Sequence, residues 1–233
     1  NALAKGVSGC RPLLVDTLLA MLNRGLTPVV PAQGSCGSSG DLAPLAHLGL
    51  VMTADQGDGR ALLDGKVMPG DEAMKQAGIP QVQLQAKDGL AITNGAQLTT
   101  GIASLCCHDA AFLILQAEVV AAMSIEALRG ASRAFHPAVH VQRPYVGARA
   151  AAANLRRLMA GSSLVDSLPD KVQDAYSLRC TPQVLGACRD QIAFAAGQVE
   201  VELNAATDNP LILMNAGPAP EGFAHDETNH AYS

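Results

Sequence analysis

The sequence predicts a mainly α protein made of long helices packed side by side, with a small irregular and hairpin segment before them. Three observations predict it. Alanine and leucine abound while aromatic residues make up only 3% of the 233 positions, a balance that favours helix over sheet. The stretch from Gly95 to Arg129 has no proline and one internal glycine, Gly101. A second helix-compatible stretch, from Gln183 to Ala206, is closed by Asp208-Asn209-Pro210. Long helices of this kind bury themselves by packing as a bundle.

Each element has its own local reason. Over residues 10–24, Leu13, Leu14, Leu18, Leu19, Met21 and Leu22 recur at helical spacing, and Gly25 fits the position after a helix end. Thr27–Pro31 is extended, because each proline pushes the residue before it out of the helical region. A glycine-serine loop follows. A helix starts near Asp41, with Pro44 tolerated in its first turn. Turn signals at residues 56–59 and at Asp64-Gly65 frame a short hairpin over Arg60–Met68. Asp71–Gly78 reads as a brief helix stopped by Gly78 and Pro80. Gly95–Arg129 is apolar nearly all round, so a central buried helix is expected, capped by Gly130. His136-Pro137 and Arg143-Pro144 break the next segment, helix resumes over Tyr145–Met159, and a loop carrying Ser162, Ser163 and Ser167 leads to residues 173–180. The sequence character divides the chain into residues 1–94, 95–213 and 214–233.

A net charge of −5 leaves no basic footprint for nucleic acid. No uninterrupted apolar run reaches the roughly 18 residues that cross a bilayer, so no membrane partner is expected. The six cysteines, Cys10, Cys36, Cys106, Cys107, Cys180 and Cys188, form no C-x-x-C pair. They read as reduced, mostly buried thiols of a cytoplasmic protein, with no metal site. His47 and His108 sit in apolar helices and read as core histidines; His136, His140, His225 and His230 are not spaced as metal ligands.

The loop Gln33–Gly40 is the most informative segment. Gly34, Gly37 and Gly40 with Ser35, Ser38 and Ser39 give a backbone free of side-chain obstruction. Within Ser38-Ser39-Gly40, the Gly40 nitrogen can attack the Ser38 carbonyl carbon and close a five-membered ring. Loss of water, including the Ser39 hydroxyl, then leaves an exocyclic methylidene group, an electrophile no ordinary side chain supplies. Two plainer readings stand beside this. The loop can cradle an anion at a helix N-terminus, although Gly34 to Gly40 is one residue too long for a phosphate loop and Asp41 replaces its lysine. It can also be a connector, with Asp41 capping the helix that follows.

The string Gly34–His47 resembles the signature of the aromatic amino acid ammonia-lyase and aminomutase family. Four further segments resemble it in the same order: Asn1–Gly9, Lys87–Gln97, Asp170–Cys180 and Glu202–Leu211. The resemblance implies the fumarase/aspartase-like helical fold, in homotetramers whose active sites draw on more than one subunit. It implies that Ser38, Ser39 and Gly40 form the methylidene-imidazolone group, with Ser38 where the family usually has alanine, and that no external cofactor is needed. The activity it implies is non-oxidative elimination of ammonia from an amino acid. The substrate amine adds to the methylidene carbon, a base takes a β-proton, and ammonium leaves.

The same resemblance assigns further residues, each with a plainer alternative. Asn94 would contact the prosthetic group and the substrate amine, or serve as a helix N-cap or turn residue beside Gly95. Tyr176 and Arg179 lie three apart, so one helical turn puts them on the same side. Arg179 would clamp the substrate carboxylate through paired hydrogen bonds, or form a surface ion pair. Tyr176 would handle or orient a proton, or pack half-buried. Gln173 would join this network, or lie on the surface.

Within the family, Asn94–Gln97 and Lys171–Cys180 look closer to the histidine branch, whose product is urocanate, than to the phenylalanine branch. A phenylalanine or tyrosine lyase, or an aminomutase, is the alternative enzyme. A non-catalytic paralogue that keeps the helical scaffold is the alternative of another class. The segment bearing the family's catalytic tyrosine base would precede Asn1. The tail from Met214 to Phe223 departs from the family's Gly-Gly-Asn-Phe-His-type motif. A fragment or truncated member is therefore expected, inactive by itself.

Overall fold

The computed structural model of the chain describes residues 1–37, 40–54, 59–214 and 229–232. It is mainly helical and divides into two compact units, Asn1–Ile102 with Glu200–Ser233, and Ala103–Val199.

In the first unit, helix α1 (Pro12–Asn23) opens on a proline, whose missing N–H costs nothing in a first turn. It buries Leu14, Thr17 and Met21 and ends where Gly25 takes φ +68°. Strand β1 (Thr27–Pro28) pairs antiparallel with β2 (Arg60–Leu63), and β2 with β3 (Lys66–Pro69), in the order β1-β2-β3. Leu63 faces Lys66 across the two-residue turn Asp64-Gly65, where both residues have positive φ, as such hairpin turns require. Ala61 and Leu63 point inward and Arg60 and Leu62 outward, the alternation of a half-buried strand. Helix α3 (Gly70–Gln76) stops before Gly78 at φ +69°. Helices α2 (Leu42–Met52) and α4 (Asp88–Thr93) pack on each other. The core joins Leu14, Met21, Val51, Met52, Leu63 and Met74. Strands β4 (Leu211–Met214) and β5 (Asn229–Tyr232) form an antiparallel pair, which the sequence reading did not predict: it left most of β4 in the helical segment 95–213 and β5 in the tail. The Ile212 N–H donates to the Val7 carbonyl at 2.7 Å.

Helix α5 (Gln97–Ala127) begins in the first unit and runs on through the second, which also holds α6 (Pro137–Val141), α7 (Val146–Leu158), α8 (Tyr176–Arg179) and most of α9 (Thr181–Leu203). Its core is Ala122, Ile125, Phe135, Leu155 and Met159. Helices α7 and α9 touch backbone to backbone: a Cβ on Gly147 would lie 2.1 Å from the Gly186 carbonyl oxygen. Glu118 of α5 is 1% exposed. It accepts from Arg189 Nε and Nη2 of α9 at 2.6 and 2.9 Å, and from Asn154 Nδ2 of α7 at 2.7 Å. Burial alone would raise the Glu118 carboxyl, but these donors hold it below its ordinary value.

Several expectations need correction. Helix α5 is not a buried central helix: Leu105, Phe112, Leu113, Val120 and Met123 are each more than half exposed. A helix apolar all round needs neighbours all round, and the described residues enclose only Thr100 and the strip with Glu118, Ala122 and Ile125. By length and composition α5 also meets the requirement for crossing a bilayer, which the search for uninterrupted apolar runs missed. A core helix meets the same requirement. The left-handed residue after α5 is Arg129, at φ +51°, not Gly130. Gly130 is needed for space, since a Cβ there would sit 2.5 Å from Ile125 Cγ2. The cysteines are free but not buried: Cys10, Cys107 and Cys180 are half-buried and Cys36, Cys106 and Cys188 exposed. His108 lies exposed on α5 and His47 is half-buried. Among the described residues the buried histidine is His140, its Nε2 3.1 Å from the Ala134 carbonyl oxygen.

Candidate active site

Each unit gathers part of the residues singled out by the sequence. In the first unit, Gly40 sits at φ +87° and bridges to Gly95. The next amide, Asp41 N–H, donates to the Gly95 carbonyl at 2.7 Å. A Cβ on Gly40 would lie 2.2 Å from that carbonyl oxygen, so only glycine fits. This bare, closely held backbone suits a group closed from Ser38, Ser39 and Gly40. Ser38 and Ser39 themselves lie outside the described residues.

Asp41 is fully buried and does not cap its own helix α2. Its Oδ1 accepts from Ser35 Oγ at 2.6 Å and Thr99 Oγ1 at 2.8 Å, and its Oδ2 from the Thr99 N–H at 2.8 Å. The carboxylate thus satisfies the open first turn of α5, where a negative charge also meets the helix dipole. Burial works to raise this carboxyl, and the hydrogen bonds from Ser35 and Thr99 hold it below the usual value.

Asn94 follows α4 in extended backbone and is buried. It is not a helix N-cap. Its Nδ2 donates to the Asn209 carbonyl at 2.7 Å and to Asp208 Oδ1 at 3.4 Å. Lys87 Nζ pairs with Asp208 Oδ2 at 2.9 Å. Gln97 Oε1 and Ser8 Oγ are buried here without hydrogen-bond partners among the described residues.

In the second unit, the loop before α8 is fixed by Asp174, which is buried, accepts from the Ala131 N–H at 2.6 Å and pairs with Lys171. One turn of α8 then stacks the Arg179 guanidinium over the Tyr176 ring, 4.0 Å from its centroid. Tyr176 is 72% exposed. Arg179 makes no ion pair among the described residues, and its buried Nε has no hydrogen-bond partner. Gln173 and Arg179 line a cavity of about 280 Å³ together with Asp174, Arg133 and Gln183. A stacked cation with free donors beside a polar cavity is equipped to take a carboxylate.

Sequence reasoning did not single out Lys87, Asp208 or Asp174. All three fall inside the segments that carried the resemblance, which was the available signal.

The long-helix fold is one that solved ammonia-lyases and aminomutases share. The solved histidine ammonia-lyase of Trypanosoma cruzi matches with a TM-score of 0.81 at 34% identity, covering 100% of this chain and 41% of that one. The tyrosine aminomutase of Streptomyces globisporus matches with a TM-score of 0.81 at 37% identity, covering 96% and 44%. The chain belongs to the aromatic amino acid lyase family, whose sequence model matches residues 1–233. A curated relative, the histidine ammonia-lyase of Alkaliphilus metalliredigens, is 51% identical over 214 residues, 91% of this chain. This chain spans 42% of that relative's length.

Proposed function

We propose that the whole protein carrying this chain eliminates ammonia from L-histidine to give urocanate, and that this chain supplies the electrophile loop and part of the substrate site. The observation that carries the reading is Gly40, held at positive φ against the Gly95 carbonyl where no side chain fits. The methylidene-imidazolone that Ser38, Ser39 and Gly40 would form supplies an electrophilic carbon to the substrate's amine. Asp41 anchors the end of that loop on α5. Asn94 offers its amide beside it. Arg179, stacked and unpaired, takes the substrate carboxylate, Gln173 shares its cavity, and the exposed Tyr176 phenol orients or relays a proton.

Histidine is favoured by the 51% identity to the curated histidine ammonia-lyase of Alkaliphilus metalliredigens. The open apolar residues of α5 support assembly into a homo-oligomer, in our reading a tetramer. The six free cysteines support a reducing, cytoplasmic setting.

The test is absorbance growth on the whole protein with histidine, phenylalanine and tyrosine in turn. Urocanate from histidine is the expected result. Cinnamate or coumarate without urocanate would transfer the assignment to another branch. No turnover, with an unmodified Ser38–Gly40 peptide, would make the protein a non-catalytic scaffold.

A further inference from the structure

A side-chain amide carries two donors and one acceptor, so the direction in which Asn94 is held decides what it can recognise. Its Nδ2 faces two oxygens, the Asn209 carbonyl at 2.7 Å and Asp208 Oδ1 at 3.4 Å. A carbonyl oxygen only accepts. So does the Asp208 carboxylate, which pairs with the Lys87 ammonium at 2.9 Å. The Asp208 side chain is 1% exposed and that of Lys87 15%, so water does little to weaken this pair. Turning the amide over would bring the Asn94 oxygen against two acceptors, at the cost of unmatched buried polar atoms. The nitrogen is therefore fixed inward. Asn94 Oδ1 is left as an acceptor that takes no hydrogen bond from any described residue.

An acceptor cannot pair with a carboxylate, which has no proton to give. It can pair with an amine or ammonium. We propose that Asp208, held by Lys87, is a positioning residue that locks the Asn94 amide so that its oxygen reads the substrate's amine and not its carboxylate. The inference rests on the reading that an amino acid reacts beside Gly40, and it adds to that reading two residues that touch neither substrate nor loop. Lys87 and Asp208 lie 121 positions apart in the chain. The pair thus also ties the segment after α9 to the one that carries Asn94.

The experiment uses the whole protein and two competitive probes that each keep half of the substrate's polar handle. Histamine has the amine without the carboxylate; 3-(imidazol-4-yl)propanoate has the carboxylate without the amine. In Asp208→Asn, histamine inhibition should weaken by roughly 10- to 100-fold, the range for partners that orient a site's direct contacts. Inhibition by imidazolepropanoate should change by less than about twofold, and the turnover number should fall. Lys87→Met should give the same split if Asp208→Asn does not fold, and Lys87→Arg, which keeps the ion pair, should restore histamine inhibition. Equal weakening of both probes would mean a structural pair only and overturns the proposal, as would no change in either. A wild-type protein that makes no urocanate would instead overturn the proposed function.

Discussion

The cluster around Gly40 and the cluster around Arg179 are built on opposite plans. The first is closed. Asp41 is fully buried with three donors on its two oxygens, Asn94 has its amide nitrogen engaged, and Gly40 leaves no room for a methyl group. The second is open. Tyr176 is mostly exposed, and Arg179 keeps a buried donor without a partner. A bond-forming backbone has to be held before anything binds, because misplacement by a fraction of an ångström is costly. A carboxylate clamp needs its donors free. Substitutions in the first cluster should therefore damage folding and chemistry together, and those in the second should damage binding or chemistry without damaging folding.

The hardest test of that contrast is Gly40→Ala. The added Cβ meets the Gly95 carbonyl in a backbone conformation that L-residues disfavour. We expect a loss of roughly 2–5 kcal/mol in denaturant unfolding and no modification of the Ser38–Gly40 peptide. Unchanged stability would mean that the loop is held less tightly than the Gly40–Gly95 contact implies. Next in size is Arg189→Met, which leaves Glu118 buried among α5, α7 and α9 without its cation. It should cost about 3–5 kcal/mol and marks what a structural ion pair in the second unit looks like. Arg179→Ala, in the same unit, should change stability by less than about 1 kcal/mol while raising the KM for substrate at least about tenfold. An Arg179 variant as unstable as the Arg189 variant would erase the distinction between the two clusters.

How much of this was legible in the sequence differs between the two clusters. Tyr176 and Arg179 are three apart, and local helical geometry alone stacks them. The Gly40 loop could be read from its glycines and serines. The partners that hold it could not. Asp41 reaches Thr99 and Asn94 reaches Asn209, and pairings over such separations leave no periodic trace. The reach of Asp41 explains why a residue placed like a cap of α2 serves α5 instead. Helix α5 failed in another way. Its all-round apolar pattern was correct as composition, but burial depends on what surrounds the helix, and one side of it stays open. Arg129 rather than Gly130 takes the left-handed turn because the glycine is used for space against Ile125. The β4–β5 pair was missed because most of β4 lay in the segment read as helical, and residues 214–233 resembled nothing that could supply its partner.

The smallest expected effect concerns pH. Asp41, Asp88, Asp174 and Glu118 are all held below their ordinary values by hydrogen bonds that outweigh burial. A carboxyl depressed in the folded state stabilises above its unfolded pKa of about 4 and loses that contribution as pH falls through its folded value. Stability should thus be flat near neutrality and drop below about pH 4. Asp88 accepts three hydrogen bonds from Arg11 on its two oxygens; Asp88→Asn, which removes the charge and one of those oxygens, should make that acid limb shallower in a thermal melt series. An unaltered limb would mean that Asp88 does not share in it.

The central claim is that the backbone at residues 38–40 becomes an electrophile, and one mass measurement addresses it directly. Trypsin releases residues 25–60 as a single peptide. Ring closure and dehydration predict that this peptide is lighter than its sequence by two waters, about 36 Da, with the loss mapped to Ser38–Gly40. A peptide of unmodified mass from the folded, whole protein would contradict the account.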